Sequence, residues 1–154
     1  MPWGGRQFRR GEANMSFKDP VSAKWGADVG AAGFTIIPSH LLSANAFLPP
    51  DLHLSSTELL VLLQLISSWW QAERLPFPSK ATIAQRIGLK STRQVQRALS
   101  SLEKRGLIQR IERYYEGSGQ ASNYYDLSGT VAFVRGLVLA NPVAFKKKPP
   151  AGDK

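Results

Sequence analysis

The sequence contains no cysteine among its 154 residues, which excludes disulfides, thiolate metal ligands and cysteine nucleophiles together. Its two histidines, His40 and His53, have neither metal-ligand spacing nor nearby acidic partners, so we expect both on the surface. No apolar run approaches the ~20 residues needed to span a bilayer. The longest run, 59–66, fits a buried helix. A nucleotide-binding loop is also excluded, because no helix opens after the Gly-Ser-Gly at 117–119.

These absences exclude whole classes of function. The acids Glu58, Glu103 and Glu112 are accounted for by helix capping or by exposed helix and strand surfaces. We therefore expect a protein that is not an enzyme and that has no cofactor, metal or small-molecule ligand. The first ten residues are basic, but no apolar stretch follows them, so they do not form a secretory signal. We expect a cytoplasmic, nucleoid-associated protein of bacterial, phage or plasmid origin.

Acidic residues are few, and the positive charge is concentrated in one segment. The chain carries 20 Lys and Arg against 11 Asp and Glu, a formal charge of +9 with a pI near 10.2. Such a balance favours an anionic partner, nucleic acid or a membrane surface. Residues 79–113 hold nine basic and two acidic residues, whereas residues 34–78 hold one and three. An even solubilising coat would not be distributed in this way.

Capping signals predict the first two main helices. Ser55 and Glu58 have the spacing of a capping box, which opens a helix to about Trp70. Apolar residues run almost all the way round this helix, so we expect it at the centre of the core, with Trp69 and Trp70 as packing residues rather than base-stacking ones. Ser79 is a good N-cap for a short helix that ends at Gly88.

The following elements complete a recognisable order. After a three-residue connector, Ser91 and Gln94 predict a second capping box, and Gly106 ends the helix 92–105. Residues 107–127 are typical of two strands joined by a loop, and a last apolar helix is expected to begin after a Ser128 cap. Long helix, short helix, turn, second helix and hairpin is the order of a winged helix-turn-helix.

We therefore predict a mainly α member of the α/β class, with a three-helix core, a C-terminal hairpin wing and an additional C-terminal helix. The domain is assigned to 34–140, between a flexible basic arm at 1–33 and a disordered basic tail at 141–154. The arm is either an extension ahead of a start at Met15 or a segment that reaches DNA. The last helix either closes the core or forms a homodimer contact.

The second helix of the turn separates into two faces on a helical wheel. Arg97, Ser100 and Lys104 fall within about 40° of Arg93, and Gln96 lies at about 60° on the other side. The opposite half is aliphatic. A solvated surface would also look basic, but only Glu103 opposes the charge on this helix. The exposed side chains are of the types that read base edges in the major groove. The predicted base contacts are Thr92, Arg93, Gln96, Arg97 and Ser100.

Flanking polar residues are predicted to bind phosphate. Small residues in the wing loop let the backbone approach a phosphate closely. The predicted backbone contacts are Ser79, Lys80, Lys90, Ser91, Lys104, Arg110 and Arg113, and the predicted wing tip is Gly117, Ser118, Gly119 and Gln120. Strand alternation predicts that one tyrosine of each pair, 114–115 and 124–125, faces the core.

The segment PSKATIAQRIGLKSTRQVQRALSSLEKRGLIQR resembles the winged helix-turn-helix domains of bacterial, phage and plasmid proteins, and a weaker resemblance to replication-associated members extends over 34–127. The matching positions are Pro78, Ser79, Thr82, Ile83, Ala84, Ile87, Gly88, Val95, Arg97, Ala98, Leu99, Leu102, Glu103, Gly106, Leu107 and Ile108. The resemblance implies that the second helix enters the major groove and that the wing touches the minor groove or backbone. The tandem tyrosines depart from the family pattern.

Double-stranded DNA is thus the expected partner, and no membrane partner is expected. The leading hypothesis is a small, sequence-selective transcriptional regulator. One alternative is a plasmid or phage replication or partition protein that binds an origin or a centromere-like site. Another is a protein-interaction module built on a winged-helix scaffold. The sequence alone leaves these three roles open.

Overall fold

The computed structural model describes residues 19–114, 117, 119 and 121–146. The chain divides into two units, Met1–Ile36 and Ile37–Lys154. The first unit contains helices α1 (Pro20–Trp25) and α2 (Ala27–Ala32).

Helix α1 begins with a local cap. The Asp19 carboxylate accepts hydrogen bonds from the Val21 N–H at 3.1 Å and the Ser22 hydroxyl at 2.7 Å. Gly26 has a φ of 99° and separates α1 from α2. Both helices lie within the segment 1–33 that the sequence predicts to be a flexible arm. The flexibility of that segment stays a prediction, and its first eighteen residues lie outside the described part of the chain.

The second unit opens with short helical turns. Helix α3 spans Ser39–Leu42 and is followed by 3-10 turns at Ala44–Phe47 and Pro50–Leu52. The Asn45 amide holds this connector closed, donating to the Leu54 carbonyl at 2.8 Å and accepting from the Leu54 N–H at 2.7 Å. Leu41, Ala44 and Leu54 are buried in the core.

Helix α4 (Ser56–Ser67) begins at the predicted capping box. The Ser55 hydroxyl accepts from the Glu58 N–H, and the Glu58 carboxylate accepts from the Ser55 N–H, both at 3.1 Å. The helix ends before the two tryptophans, and only Trp69 packs against the core. Trp70 is 71% exposed, so its prediction as a packing residue is wrong. Its indole N–H donates to the Ser67 carbonyl at 2.9 Å on the surface.

Helices α5 (Lys80–Ile87) and α6 (Thr92–Lys104) complete a three-helix core with α4. Gly88 ends α5 in the left-handed region with a φ of 79°. The Leu89 N–H bonds to the Ala84 carbonyl at 2.8 Å, which closes the turn tightly enough for α6 to begin three residues later. Ser91 caps α6 through the Arg93 N–H at 3.1 Å; the capping box predicted with Gln94 does not form.

The predicted hairpin is present with short strands. Strands β1 (Gln109–Ile111) and β2 (Tyr124–Asp126) are antiparallel, and Arg110 lies opposite Tyr125. The Tyr125 side chain is 1% exposed, while its neighbour Tyr124 is only partly buried, as strand alternation predicts for the second tyrosine pair. The Tyr125 N–H also bonds to the Pro76 carbonyl at 2.9 Å. This bond ties the hairpin to the segment that leads into α5.

Helix α7 (Ser128–Ala140) packs against α3 and is bonded to the segment that follows α6. Ser128 is not the N-cap: its backbone N–H donates to the Asp126 carboxylate at 2.8 Å. The buried Thr130 hydroxyl donates to the Leu107 carbonyl at 2.7 Å. Leu137 belongs to the core, with Phe133 and Val134 packed against it. These contacts support the core-closing role for this helix.

His40 is buried, contrary to the prediction of a surface histidine. Its Nε2 lies 2.8 Å from the Asn141 carbonyl oxygen, and its ring stacks on Phe47 with centroids 5.4 Å apart. The Phe145 ring meets the His40 ring edge-on at 4.9 Å. Contacts with the domain thus continue into the segment 141–154 that the sequence assigns to a tail. His53 is exposed, as predicted.

The fold is the predicted winged helix-turn-helix: a mainly helical domain with a two-stranded antiparallel hairpin and an added C-terminal helix. Its core is aliphatic apart from Tyr125 and is contributed by α3 and the connector before α4, by α4, α5 and α6, and by the hairpin and α7. No helix within the described residues has the length and apolar character needed to cross a membrane.

Two glycines of α7 provide a matched test of this packing. A Cβ at Gly129 would overlap the Gly106 carbonyl oxygen, whereas a Cβ at Gly136 would meet nothing within 4 Å. We expect Gly129→Ala to lower the free energy of unfolding by about 1–3 kcal/mol. Gly136→Ala should raise it by about 0.4–1 kcal/mol, because alanine loses less backbone entropy in a helix. Urea denaturation of both variants measures the difference, and equal effects would contradict the close contact.

Candidate nucleic-acid interface

Helix α6 has one buried and one exposed face. Its inner side chains, Val95, Ala98, Leu99 and Leu102, are at most 4% exposed. Thr92, Arg93, Arg97 and Lys104 are exposed on the other side. Because three successive turns are anchored in the core, the rotation of the helix about its axis is fixed. The face predicted from the helical wheel is therefore the face turned to solvent.

Two of the predicted base contacts are less accessible. Gln96 and Ser100 are half-buried, and the Gln96 amide nitrogen donates to the Ser100 hydroxyl at 3.4 Å. The Gln96 Oε1 atom is buried and has no hydrogen-bond partner within the described part of the chain. Reading a base edge with this amide therefore requires its side chain to rotate outward.

The helix before the turn presents its N-terminus beside the hairpin. The Ser79 hydroxyl accepts from the Thr82 N–H at 3.0 Å and donates to the Thr82 hydroxyl at 2.9 Å, so it already serves as a cap. Ser79 and Lys80 line an open cleft of about 240 Å³, together with Ser122 and Asn123 of the hairpin. The structure thus brings two predicted phosphate contacts next to the wing.

The turn itself carries two more predicted phosphate contacts. Lys90 and Ser91 are consecutive, exposed residues immediately before α6. The Ser91 hydroxyl is engaged with the Arg93 N–H, whereas Lys90 forms no ion pair within the described ranges.

Arg110 is committed to Glu103 inside the domain. The Arg110 Nε and Nη2 atoms donate to Glu103 Oε1 at 3.2 and 2.9 Å, and the Arg110 backbone N–H donates to Oε2 at 2.8 Å. These hydrogen bonds hold the pKa of Glu103 below its ordinary value of 4.5. The only acid on α6 therefore faces the strand β1, and it does not neutralise the exposed cations of its own helix.

A second acid joins α4 to the end of α6. Glu58 accepts from the Ser101 hydroxyl at 2.7 Å and lies 3.4 Å from the Arg105 Nε. Burial acts to raise the pKa of Glu58, but hydrogen bonds from Ser101 and Ser55 and the charge of Arg105 outweigh it, so the pKa is lowered. Arg105 also donates to the Leu52 and His53 carbonyls at 2.8 and 2.7 Å. Its role in the domain is structural.

The outer face of α6 carries positive charge that the ion pairs of the domain do not neutralise. Both ion pairs found in the described residues engage Arg105 and Arg110 with Glu58 and Glu103. Neither pair involves Arg93, Arg97 or Lys104. The outer face therefore presents three cations with no carboxylate partner in the described chain, an arrangement that attracts a polyanion.

The structure gives only part of the wing. Arg113 is half-buried, and its Nε donates to the Ser122 carbonyl at 2.9 Å. Gly117 and Gly119 are exposed, with φ values of 75° and 62° that favour glycine. Ser118 and Gln120 lie outside the described residues.

Sequence reasoning missed Arg105 as a structural clamp and His40 as a buried ring. Both depend on partners that are far away in the chain: Arg105 contacts Leu52 and His53, and His40 contacts Asn141. The spacing of neighbouring residues in the sequence does not indicate contacts of this range. Among the residues that the structure describes, no group of three His, Asp or Glu side chains could hold a metal ion.

Comparison with known proteins agrees with this geometry. Residues 52–108 match a family described as a helix-turn-helix domain, a segment that runs from the connector before α4 to the residue before β1. The matched segment contains α4, α5 and α6, and the hairpin follows it directly in the chain.

One solved structure is similar over most of the chain. It is described as the crystal structure of transcriptional regulator PA3341, with 20% identity, 71% of this chain and 75% of that chain covered, and a TM-score of 0.39. No curated protein matches the chain at a significant level.

Glu103 gives a prediction about acid stability. We expect Glu103→Gln to lower the free energy of unfolding at pH 7 by about 1 kcal/mol, since the pair is partly exposed. A lowered pKa in the folded state means that the carboxylate stabilises the fold above its ordinary pKa and loses that effect as the pH falls through the folded value. The difference from the parent protein should therefore shrink below about pH 4.5.

Urea titrations between pH 3 and 7 measure this difference. Glu73→Gln is the matched control, because Glu73 is exposed and lies outside both ion pairs of the described chain. A Glu103→Gln effect that stays constant with pH would contradict the assigned carboxylate.

Proposed function

We propose that the protein is a DNA-binding transcriptional regulator that places α6 in the major groove. The observation that carries the proposal is the outer face of α6, where Arg93, Arg97 and Lys104 are exposed without a carboxylate partner in the described chain. An α-helix fits the width of the major groove, and arginine donates to both guanine acceptors there. The helix-turn-helix family match supports the same assignment.

Each residue of the outer face has a distinct proposed role. Arg93 and Arg97 read guanine edges through O6 and N7, and Thr92 contacts a base edge from the N-terminal turn. Gln96 pairs with adenine after rotating away from Ser100, which frees the Ser100 hydroxyl for a second polar contact. Roles of this kind set sequence selectivity, because base edges differ whereas phosphates do not.

Phosphate contacts come from the ends of the two helices of the turn. Lys80 is the first residue of α5, Lys90 follows α5 in the turn, and Lys104 is the last residue of α6. Ser79 and Ser91 are N-caps whose hydroxyls are already hydrogen-bonded within the domain. We therefore expect the main chain at these two residues, more than their hydroxyls, to face the DNA phosphates. Arg110, held by Glu103, is the weakest of the proposed phosphate contacts.

Selection of bound sequences from a random duplex pool tests the proposal directly. A conserved set of selected sequences is expected, and binding without any sequence preference would contradict selective reading. Palindromic sites would support the predicted homodimer through α7, which otherwise stays a prediction. Sites that map upstream of promoters support the regulator role, whereas sites within replication origins would support an origin-binding protein instead.

Replacing Arg97 should weaken reading of one base pair. We expect Arg97→Ala to cost about 1–3 kcal/mol of binding free energy and to relax selectivity at a single position. Arg74→Ala is the matched control, because Arg74 is exposed, lies between α4 and α5 and is not among the proposed DNA contacts. Fluorescence anisotropy with the selected duplex and with point-substituted duplexes measures both effects. Unchanged affinity and selectivity for Arg97→Ala would rule out α6 as the reading helix.

Lys104 should behave as a phosphate contact. We expect Lys104→Ala to weaken binding to all duplexes alike and to reduce the slope of log K against log salt by about 1. The measurement is a titration series from low to physiological salt with selected and random duplexes. A loss confined to one base pair would instead place Lys104 among the base contacts.

A further inference from the structure

Arg113 lies in an aromatic cluster at the base of the wing. Its Cζ atom is 4.4 Å from the centroid of the Phe77 ring and 5.1 Å from that of Tyr124. The two rings meet edge-on, with centroids 5.8 Å apart and an interplanar angle of 80°. The guanidinium thus occupies the position in which the faces of aromatic rings attract a cation.

The cluster joins two separate parts of the domain. Phe77 precedes α5, whereas Arg113 leads from β1 into the wing loop and Tyr124 begins β2. The Arg113 carbonyl accepts from the Ala121 N–H at 2.7 Å, and its Nε donates to the Ser122 carbonyl at 2.9 Å. Arg113 is therefore hydrogen-bonded across the wing to the segment before β2. Through the Phe77 ring it also contacts the segment that leads into α5.

We propose that Arg113 is a positioning residue, which sets the angle of the wing against the segment before α5 through Phe77 and Tyr124, and that it is not itself a phosphate contact. The proposal deepens the proposed DNA-binding function and rests on it. It replaces the sequence-based assignment of Arg113 to the DNA backbone.

Geometry favours positioning over phosphate binding. A phosphate contact needs N–H groups directed at solvent, but the Nε–H of Arg113 points to the Ser122 carbonyl and the group is half-buried between rings. Lysine would keep the charge at this position but would lose the planar group that stacks and the directed Nε–H. Phe77 is 52% exposed, yet its ring contacts both the Arg113 guanidinium and the Tyr124 ring.

The test compares changes in the cation with changes in the ring. We expect Arg113→Lys and Phe77→Leu each to weaken binding to the selected duplex by about two- to fivefold. The double variant should lose no more than the worse single variant, because both changes release the same contact. Phe77→Tyr keeps an aromatic ring at this position and should bind the selected duplex with the parent affinity. Hydroxyl-radical footprints should lose protection at the flanks of the site while the central protection by α6 remains.

Two results would overturn the proposal. One is a Phe77→Leu variant that binds like the parent while Arg113→Ala loses affinity and one unit of salt slope, as a direct phosphate contact requires. The other is a uniform loss of protection across the whole footprint in Phe77→Leu, which indicates general destabilisation.

An NMR measurement without DNA separates this proposal from the proposed function. The Arg113 δ-methylene protons should be shifted upfield by the ring currents of Phe77 and Tyr124, and Phe77→Leu should remove most of that shift. A parent protein with no such shift lacks the cluster, which overturns the positioning role. A parent protein that has the shift but binds no duplex overturns the DNA-binding function and leaves the cluster established.

Discussion

The burial of one side of α6 is the constraint on which the rest of the structure depends. Val95, Leu99 and Leu102 are fully buried, at three successive turns of the helix. A rotation of the helix by a quarter turn would bring polar side chains into the core, at a cost of several kcal/mol for each one left without a partner. The core therefore decides which side chains of α6 face solvent. The exposure of the outer face is therefore a consequence of how the inner face packs.

The scarcity of acids gives each carboxylate a specific structural task. Glu58 and Glu103 are the acids of α4 and α6, and each binds an arginine that belongs to the framework. Arg105 connects the end of α6 with the connector before α4, and Arg110 connects α6 with the first wing strand. Carboxylates used in this way are turned away from the exposed cations of α6. The same few acids thus stabilise the domain and leave its positive field intact.

Local signals in the sequence were sufficient to predict helices α4 to α7 and the hairpin, but not α1 and α2. The capping box of Ser55 and Glu58, the N-cap Ser79 and the glycine Gly88 each act within one helical turn, and the structure confirms them. Some of the failed predictions concern contacts between distant residues. His40 is buried because Phe47, Asn141 and Phe145 surround it, which no neighbouring residue indicates. The Ser91 and Gln94 box fails because the cap accepts from the Arg93 N–H instead.

The candidate site likewise contains residues whose exposure the sequence predicts and residues whose role depends on tertiary contacts. The exposure of Arg93 and Arg97 follows from helical periodicity, which the sequence displays directly. The engagement of Arg110 by Glu103 follows from the pairing of β1 with β2 next to α6, and residue type alone could not distinguish it from a phosphate contact. A basic residue is equally suited to a phosphate and to an internal carboxylate. Only the three-dimensional neighbourhood decides between these two uses.

The joint between α6 and α7 has a mechanical consequence. The buried Thr130 hydroxyl is bonded to the Leu107 carbonyl, three residues after the end of α6, and Leu137 anchors the same helix in the core. Sliding α7 along its axis would leave a buried hydroxyl and a buried carbonyl without partners, at a cost of about 1–3 kcal/mol. The position of α7 along its axis is therefore coupled to the segment that follows α6. Because that segment leads directly into β1, the same hydrogen bond relates the C-terminal helix to the base of the wing.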